Sequence, residues 1–75
     1  MNYHTGEKVL IGDRITVDRS PGIVLCVIED GQFSNAHPRE QWDYLKKGMM
    51  VEAEGFGLVH YPEVDDDIVY IGRQV

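Results

Sequence analysis

Two short strands are predicted in the first third of the chain from the pattern of apolar and polar residues. Residues 14–17 (RITV) alternate between polar and apolar, which is the period of two that a half-buried strand shows. Residues 23–28 (IVLCVI) are apolar on both faces and rich in β-branched side chains, so they predict the most buried strand. Between them, residues 18–22 (DRSPG) are turn formers, and Pro21-Gly22 suits a type II turn. The two segments therefore form a predicted hairpin.

Residues 38–47 (PREQWDYLKK) are the one segment with a helical pattern. Pro38 suits the first helical position, where its missing N–H costs nothing. Trp42 and Leu45 lie three residues apart and share a face, and Gly48 suits the left-handed position that ends a helix. A helix this short does not persist alone, so we expect it to dock on the rest of the protein through Trp42 and Leu45.

The second half of the chain predicts three further strands. Residues 49–54 (MMVEAE) alternate, with two glutamates on one face and apolar side chains on the other. A tight turn at residues 55–57 (GFG) leads to a return strand at 58–61. After the acidic loop 62–67 (PEVDDD), residues 68–71 (IVYI) form the closing strand.

Five short strands and one short helix indicate a mostly β fold. Strands at this close spacing favour a small barrel, since a barrel leaves few exposed sheet edges. We expect a five-stranded barrel of the Src-homology-three (SH3) type with a short helix or helical turn at about 38–47. Residues 1–7 are polar and without period, so they predict a flexible N-terminal segment. Residues 8–75 then form a single small domain.

The opening hairpin resembles that of SH3-like and KOW-type barrels. The residues that carry this resemblance are Gly12-Asp13-Arg14-Ile15-Thr16-Val17 and Pro21-Gly22-Ile23-Val24 with the run to Ile28, about 17 of the 75 residues. It implies the barrel fold. KOW domains generally bind RNA or protein through basic or aromatic loops. The turn at 18–22 contains one basic residue, Arg19, so RNA binding is not carried over.

The charge balance points away from nucleic acid. The chain has 13 acidic and 7 basic residues and a formal net charge of −6, whereas nucleic-acid binding depends on Lys and Arg that neutralise phosphates. An anionic surface suits a basic protein partner, although net charge also serves solubility alone. No apolar run approaches the length of a membrane span or a signal core. The single cysteine, Cys26, allows no internal disulfide and favours a cytoplasmic location.

No residue pattern predicts catalysis, a metal or a cofactor. His4, His37, His60 and Cys26 lack the spacing of zinc ligands. Cys26 lies within an apolar strand, where burial makes a thiol inert. The acidic run at 65–67 lacks the ligand order of an EF-hand loop. We therefore expect a protein that binds rather than an enzyme.

Exposed aromatic and acidic side chains are the candidate partner-binding residues. Aromatic residues dominate binding hot spots, and three adjacent acids in one turn cannot all pair within the chain. The acidic turn is interpreted either as a solvated connection or as a docking site for basic side chains. The candidates are Phe33, Tyr44, Phe56 and Tyr61, together with Glu52, Glu54, Asp65, Asp66 and Asp67.

The most concrete functional hypothesis is a bacterial immunity protein. The chain resembles such proteins in size and charge, and they block a toxin by direct binding. The resemblance implies that acidic loops would occlude a basic active site while aromatic residues anchor the contact. Two alternatives stay open: a KOW-like regulatory or nucleic-acid-associated barrel, and a subunit of a larger complex or homo-oligomer.

Overall fold

Five antiparallel strands form one sheet in the computed structural model, which describes residues 1–73; residues 74 and 75, the end of the predicted domain, lie outside the described residues. The order across the sheet is β4-β3-β2-β1-β5. The mostly β fold is confirmed. The strands are β1 (Asp13–Val17), β2 (Ser20–Val27), β3 (Met49–Ala53), β4 (Gly57–Tyr61) and β5 (Ile68–Arg73).

The β1–β2 turn lies earlier than the sequence predicted. Asp18 and Arg19 occupy the left-handed region with φ of 48° and 71°, which is typical of a type I′ hairpin turn whose twist matches that of the strands. Val17 pairs directly with Ser20. Pro21 and Gly22 consequently lie within β2, and the predicted turn at these two residues is wrong.

The sheet stays open, so the five strands do not form a closed barrel. Among the described residues, β4 and β5 pair with β3 and β1 respectively and not with each other. Bulges in the β1–β5 and β2–β3 pairings curl the sheet. The curl brings the Tyr61 hydroxyl to 3.5 Å from the Asp67 carboxylate, but the backbones of β4 and β5 do not pair.

The inner face of the sheet carries the main core. Its buried side chains come from all five strands and from the N-terminal segment. Tyr3 is only 4% exposed, and its hydroxyl donates to Asp13 at 2.7 Å. Residues 1–7, expected to be flexible, thus contribute a core side chain. The fully buried members include Val9, Ile15, Val24, Val27, Met49 and Val51.

A second, smaller core lies on the outer face. The chain between β2 and β3 forms a 3₁₀ turn (Ile28–Asp30), a short helix α1 (Arg39–Trp42) and a second 3₁₀ turn (Asp43–Leu45). This confirms a short helical element within 38–47, with Trp42 buried as predicted. We call residues 28–45 the helical segment. Its Trp42 packs against Cys26 and Met50, so the helical segment covers one half of the outer face.

Gly48 joins the helical segment to β3 at a close backbone contact. Its φ is +80°, and a Cβ at this position would overlap the carbonyl oxygen of Tyr61. The Gly48 N–H donates to the carboxylate of Glu29 at 2.9 Å, and its carbonyl accepts the N–H of Ile28 at 2.8 Å. Glycine is therefore required here for space as well as for conformation.

Candidate functional site

The half of the outer face that the helical segment leaves uncovered is the candidate site. Cross-strand pairing places Arg14 opposite Ile23, Ile23 opposite Glu52, and Glu52 opposite Leu58. Directly paired residues point to the same side of a sheet. These four side chains therefore form a row across β1, β2, β3 and β4, on the side away from the main core.

A second row lies next to the first, towards the β1–β2 turn. Thr16 pairs with Pro21 on one side and with Val69 on the other. The Glu54 backbone N–H donates to the Pro21 carbonyl at 2.9 Å and extends this row beyond β3. We call the two rows, with Ile71 of β5, the open sheet face: Arg14, Thr16, Pro21, Ile23, Glu52, Glu54, Leu58, Val69 and Ile71.

Large apolar side chains are exposed on the open sheet face. Leu58 is 52% exposed, Val69 51% and Ile71 61%. Ile71 is the extra residue of the β-bulge at Arg14, and it lines the same groove as Arg14. This open groove has a volume of about 870 Å³ and is lined by residues of all five strands. Val69 and Ile71 lie together on β5, whereas Leu58 lies on β4 at the opposite edge of the sheet.

The charged side chains of this face lack partners of their own. Within residues 1–73, Glu52, Glu54 and Arg14 make no side-chain ion pair or hydrogen bond. Elsewhere such pairs do form: the Arg73 guanidinium lies 3.1 Å from Asp13, and Arg39 and Lys46 flank Asp43 at 3.4 and 3.7 Å. The open sheet face thus presents two carboxylates and one guanidinium beside its apolar side chains.

Three of the predicted partner-binding residues lie on or beside this face. Glu52 and Glu54 belong to it, and Phe56 lies in the adjoining β3–β4 turn with 54% of its surface exposed. Tyr61 does not join them. It is only 8% exposed and packs in the main core, because it is the inward-facing residue at the end of β4. Its expected role as an exposed anchor is therefore corrected.

The predicted aromatic residues of the helical segment lie apart from the open sheet face. Phe33 is half-buried against the second core, with the Arg39 guanidinium 4.8 Å from its ring centre. Tyr44 is 72% exposed on the second 3₁₀ turn. That turn belongs to the segment that covers the other half of the outer face, so neither ring lines the groove.

The acidic loop makes structural contacts that the sequence did not show. The Asp65 carbonyl accepts the N–H of Ile68, and the Asp67 carbonyl accepts the N–H of Asp18, both at 3.0 Å. The carboxylate of Asp66 lies 3.8 Å from the His4 ring. The backbone of this loop therefore holds the start of β5 in place, and its three aspartates, Asp65, Asp66 and Asp67, are exposed.

Sequence reasoning missed the apolar members of the open sheet face. Leu58, Val69 and Ile71 alternate with inward-facing residues, which is the ordinary pattern of any strand. Their grouping depends on the register between strands, and the pattern within one strand does not carry that information. Glu52 was the one member of the first row recognised as exposed, and its neighbours across the sheet could not be assigned without the pairing.

Cys26 and His37, two side chains with reactive groups, make packing contacts. Burial raises the pKa of the Cys26 thiol, and Cys26 Sγ donates to the His37 carbonyl at 3.5 Å. The His37 ring stacks on Trp42 with 5.0 Å between ring centres. In the part of the chain that the structure describes, no three His, Cys, Asp or Glu residues are arranged to hold a metal ion.

Comparisons with protein-family models, curated proteins and solved structures find no match to this chain. Among residues 1–73, no helix is long and apolar enough to cross a membrane.

Proposed function

We propose that this chain is a non-enzymatic protein-binding domain that docks a basic partner on its open sheet face. The observation that carries the proposal is the open sheet face, on which the exposed side chains of Leu58 at one edge and of Val69 and Ile71 at the other flank the carboxylates of Glu52 and Glu54. Burying the exposed apolar side chains against a partner releases water and favours binding. The carboxylates without partners can bind Lys or Arg side chains of that partner. The net charge of −6 favours the approach of a cationic protein.

The proposed mechanism is occlusion, as in an immunity protein that covers a basic toxin or effector. Leu58 and Ile71 anchor the contact at the two edges of the face, and Glu52 and Glu54, which lie between them, pair with cations of the partner. We propose that the curled sheet is an open relative of the SH3-like barrels. A cytoplasmic location belongs to the same proposal and is supported by the unpaired, buried Cys26.

The charges on the open sheet face favour a protein over a nucleic acid. Two carboxylates and one guanidinium, Arg14, border the groove, whereas a phosphate backbone requires clustered cations. A fluorescent RNA or DNA oligonucleotide at low salt tests the KOW-like alternative. Binding that weakens steeply with added salt would support that alternative against the proposal.

The direct experiment is affinity capture from an extract of the source organism with matched variants. The wild-type chain should retain a basic protein that elutes as salt is raised. Leu58→Ser and the double variant Glu52→Ala/Glu54→Ala should lose it, while Glu40→Ala, an exposed acid on α1, should keep it. Capture that is equal for all variants, or a captured protein that ignores salt, contradicts the proposal.

A further inference from the structure

The hydrogen bonds at the two ends of β3 show which way its backbone groups point. The Glu54 N–H donates to the Pro21 carbonyl on β2. The Gly48 carbonyl accepts the N–H of Ile28, which directly follows β2. Because backbone groups alternate in direction along a strand, the even-numbered residues of β3 bond to β2 and its odd-numbered residues bond to β4.

This alternation leaves four backbone groups of β4 at the free edge of the sheet. The register between β3 and β4 is unbroken, with Val51 opposite Val59 and Glu52 opposite Leu58. The odd-numbered residues of β4 therefore bond to β3, and the N–H and carbonyl groups of Leu58 and His60 point away from it. Within residues 1–73, no backbone group of another segment bonds to these four groups.

β4 also lacks the features that protect the edges of sheets. Edge strands commonly carry Lys, Pro or a β-bulge, each of which hinders pairing with another chain. Residues 57–61 (GLVHY) contain no Lys or Pro, and their pairing with β3 has no bulge. At the other edge, β5 has the bulge at Ile71, and the Ile68 N–H already donates to the Asp65 carbonyl at 3.0 Å. Of the two edges, β4 is therefore the more open to pairing.

The free edge of β4 is complementary to itself. A two-fold axis perpendicular to the sheet at Val59 places a second β4 antiparallel to the first. Leu58 of each copy then lies opposite His60 of the other, and their free N–H and carbonyl groups form four backbone hydrogen bonds. Gly57, which has no side chain, lies opposite Tyr61 of the other copy, where the acidic loop leaves the strand. β4 contains no Asp, Glu, Lys or Arg, so the pairing places no like charges opposite each other.

The same rotation keeps the two helical segments apart. Because the axis is perpendicular to the sheet, the outer faces of the two copies point to the same side and do not face each other. The helical segment packs through Trp42 on Cys26 of β2 and Met50 of β3, so β4 lies between these contacts and the axis. Pairing at the edge leaves the carboxylates of the open sheet face uncovered.

We propose that this chain forms a two-fold symmetric homodimer by antiparallel pairing of its β4 strands. A second copy fits this edge because each free donor of one copy meets a free acceptor of the other. The inference does not rest on the proposed function, since it uses the backbone edge and not the charges of the open sheet face. Each copy has a net charge of −6, so added salt screens the repulsion between copies and should strengthen the dimer. Salt should weaken binding of a basic partner instead.

Concentration dependence tests the dimer with the purified wild-type protein. Sedimentation velocity from about 1 µM to about 1 mM should show a monomer–dimer equilibrium. Over the same range, hydrogen exchange followed by NMR should slow at least about fivefold at the amides of Leu58 and His60. The Asp67 carbonyl accepts the N–H of Asp18 on the β1 side, so the Tyr70 amide faces the free edge of β5. Its exchange rate should not change.

A proline substitution tests the backbone bonds themselves. His60→Pro removes an outward N–H and no bond to β3, and proline is tolerated at such positions of an edge strand. Symmetry removes two of the four bonds, so the dimer should weaken at least about tenfold. His60→Ala is the matched control, because it keeps the N–H and loses the same ring, which lies 2.8 Å from the Lys47 carbonyl. It should dimerise within about threefold of the wild type.

Three results would overturn the dimer: a wild type that stays monomeric throughout the range, slowed exchange at Tyr70 and not at His60, or a folded His60→Pro that dimerises as strongly as His60→Ala. If circular dichroism shows His60→Pro to be unfolded, the exchange pattern of the wild type decides. Glu52→Ala/Glu54→Ala separates the two proposals, since it should lose the basic partner and keep the dimer. Partner capture by a chain that stays monomeric would leave the proposed function standing.

Discussion

Replacing Tyr3 with phenylalanine removes one oxygen atom from the hydrogen-bond network around the buried Asp13. Asp13 is 1% exposed, and its Oδ2 accepts the Tyr3 hydroxyl at 2.7 Å and the Leu10 N–H at 2.9 Å. The charge is compensated by Arg73, whose Nε lies 3.1 Å from Oδ1. The network therefore ties the N-terminal segment to β1 and β5.

The size of the effect follows from the kind of bond that is lost. A hydrogen bond to a charged group contributes about 1.5–3 kcal/mol, and a buried acceptor that loses its donor bears the cost of desolvation. Phenylalanine fills the same volume, so no cavity is added. We expect Tyr3→Phe to lower the free energy of unfolding by about 2 kcal/mol.

Tyr70→Phe is the matched control for this prediction. The Tyr70 ring stacks on Tyr3 with 4.7 Å between ring centres, and within residues 1–73 its hydroxyl makes no hydrogen bond. Its removal should change stability by less than about 0.5 kcal/mol. Urea unfolding at neutral pH, followed by Trp42 fluorescence and circular dichroism, measures both variants. Equal losses for the two would refute the assigned role of Asp13.

The same hydroxyl makes stability depend on alkaline pH. Burial, and then the hydrogen bond to Asp13, raise the pKa of Tyr3 above its ordinary value. The Tyr3 hydroxyl loses its proton near pH 10 in the unfolded chain and keeps it in the folded chain. Its contribution to the free energy of unfolding is therefore complete below about pH 10 and is lost as pH rises further. Tyr61 and Cys26, whose pKa values burial also raises, act in the same direction. In the Tyr3→Phe variant, the free energy of unfolding should therefore decrease less steeply above about pH 10 than in the wild type.

Three further substitutions and one chemical treatment test the remaining contacts. Gly48→Ala should destabilise the protein by more than about 3 kcal/mol in urea unfolding, because its Cβ would overlap the Tyr61 carbonyl oxygen. Gly12→Ala, with a similar positive φ and open space around it, should cost only about 1 kcal/mol. Leu58→Ser should change stability by less than about 0.5 kcal/mol, so its loss of binding would not reflect unfolding. Cys26 should resist alkylation by iodoacetamide at neutral pH until urea is added, and rapid labelling of the native protein would contradict its burial.

Local pattern predicted the elements of this fold more reliably than their junctions. The alternation in β1, the apolar run in β2 and the docking of Trp42 are each decided within a few residues, and all three are confirmed. The β1–β2 turn was misplaced because Pro21-Gly22 is strong turn chemistry by itself, whereas pairing of Val17 with Ser20 moves the turn to Asp18 and Arg19. Register between strands outweighed local preference here.

The candidate site was predicted only in part, for a related reason. Glu52 and Glu54 were recognised because charged residues on an alternating strand must face outward. Tyr61 was misjudged because its position near a turn suggested exposure, although it faces the main core. Tyr3 gave no periodic signal, since a single aromatic residue in a polar segment has no partner within its own element. Contacts between distant segments decide each of these cases.

Site-directed photo-crosslinking tests the central claim, that the open sheet face is the binding surface, most directly. Benzoylphenylalanine would be placed at Leu58 in one protein and at Tyr44, a more exposed position on the helical segment, in another. After irradiation in cells, the account predicts a covalent adduct between Leu58 and a basic protein, and none at Tyr44. Adducts that form at Tyr44 and not at Leu58 would contradict it.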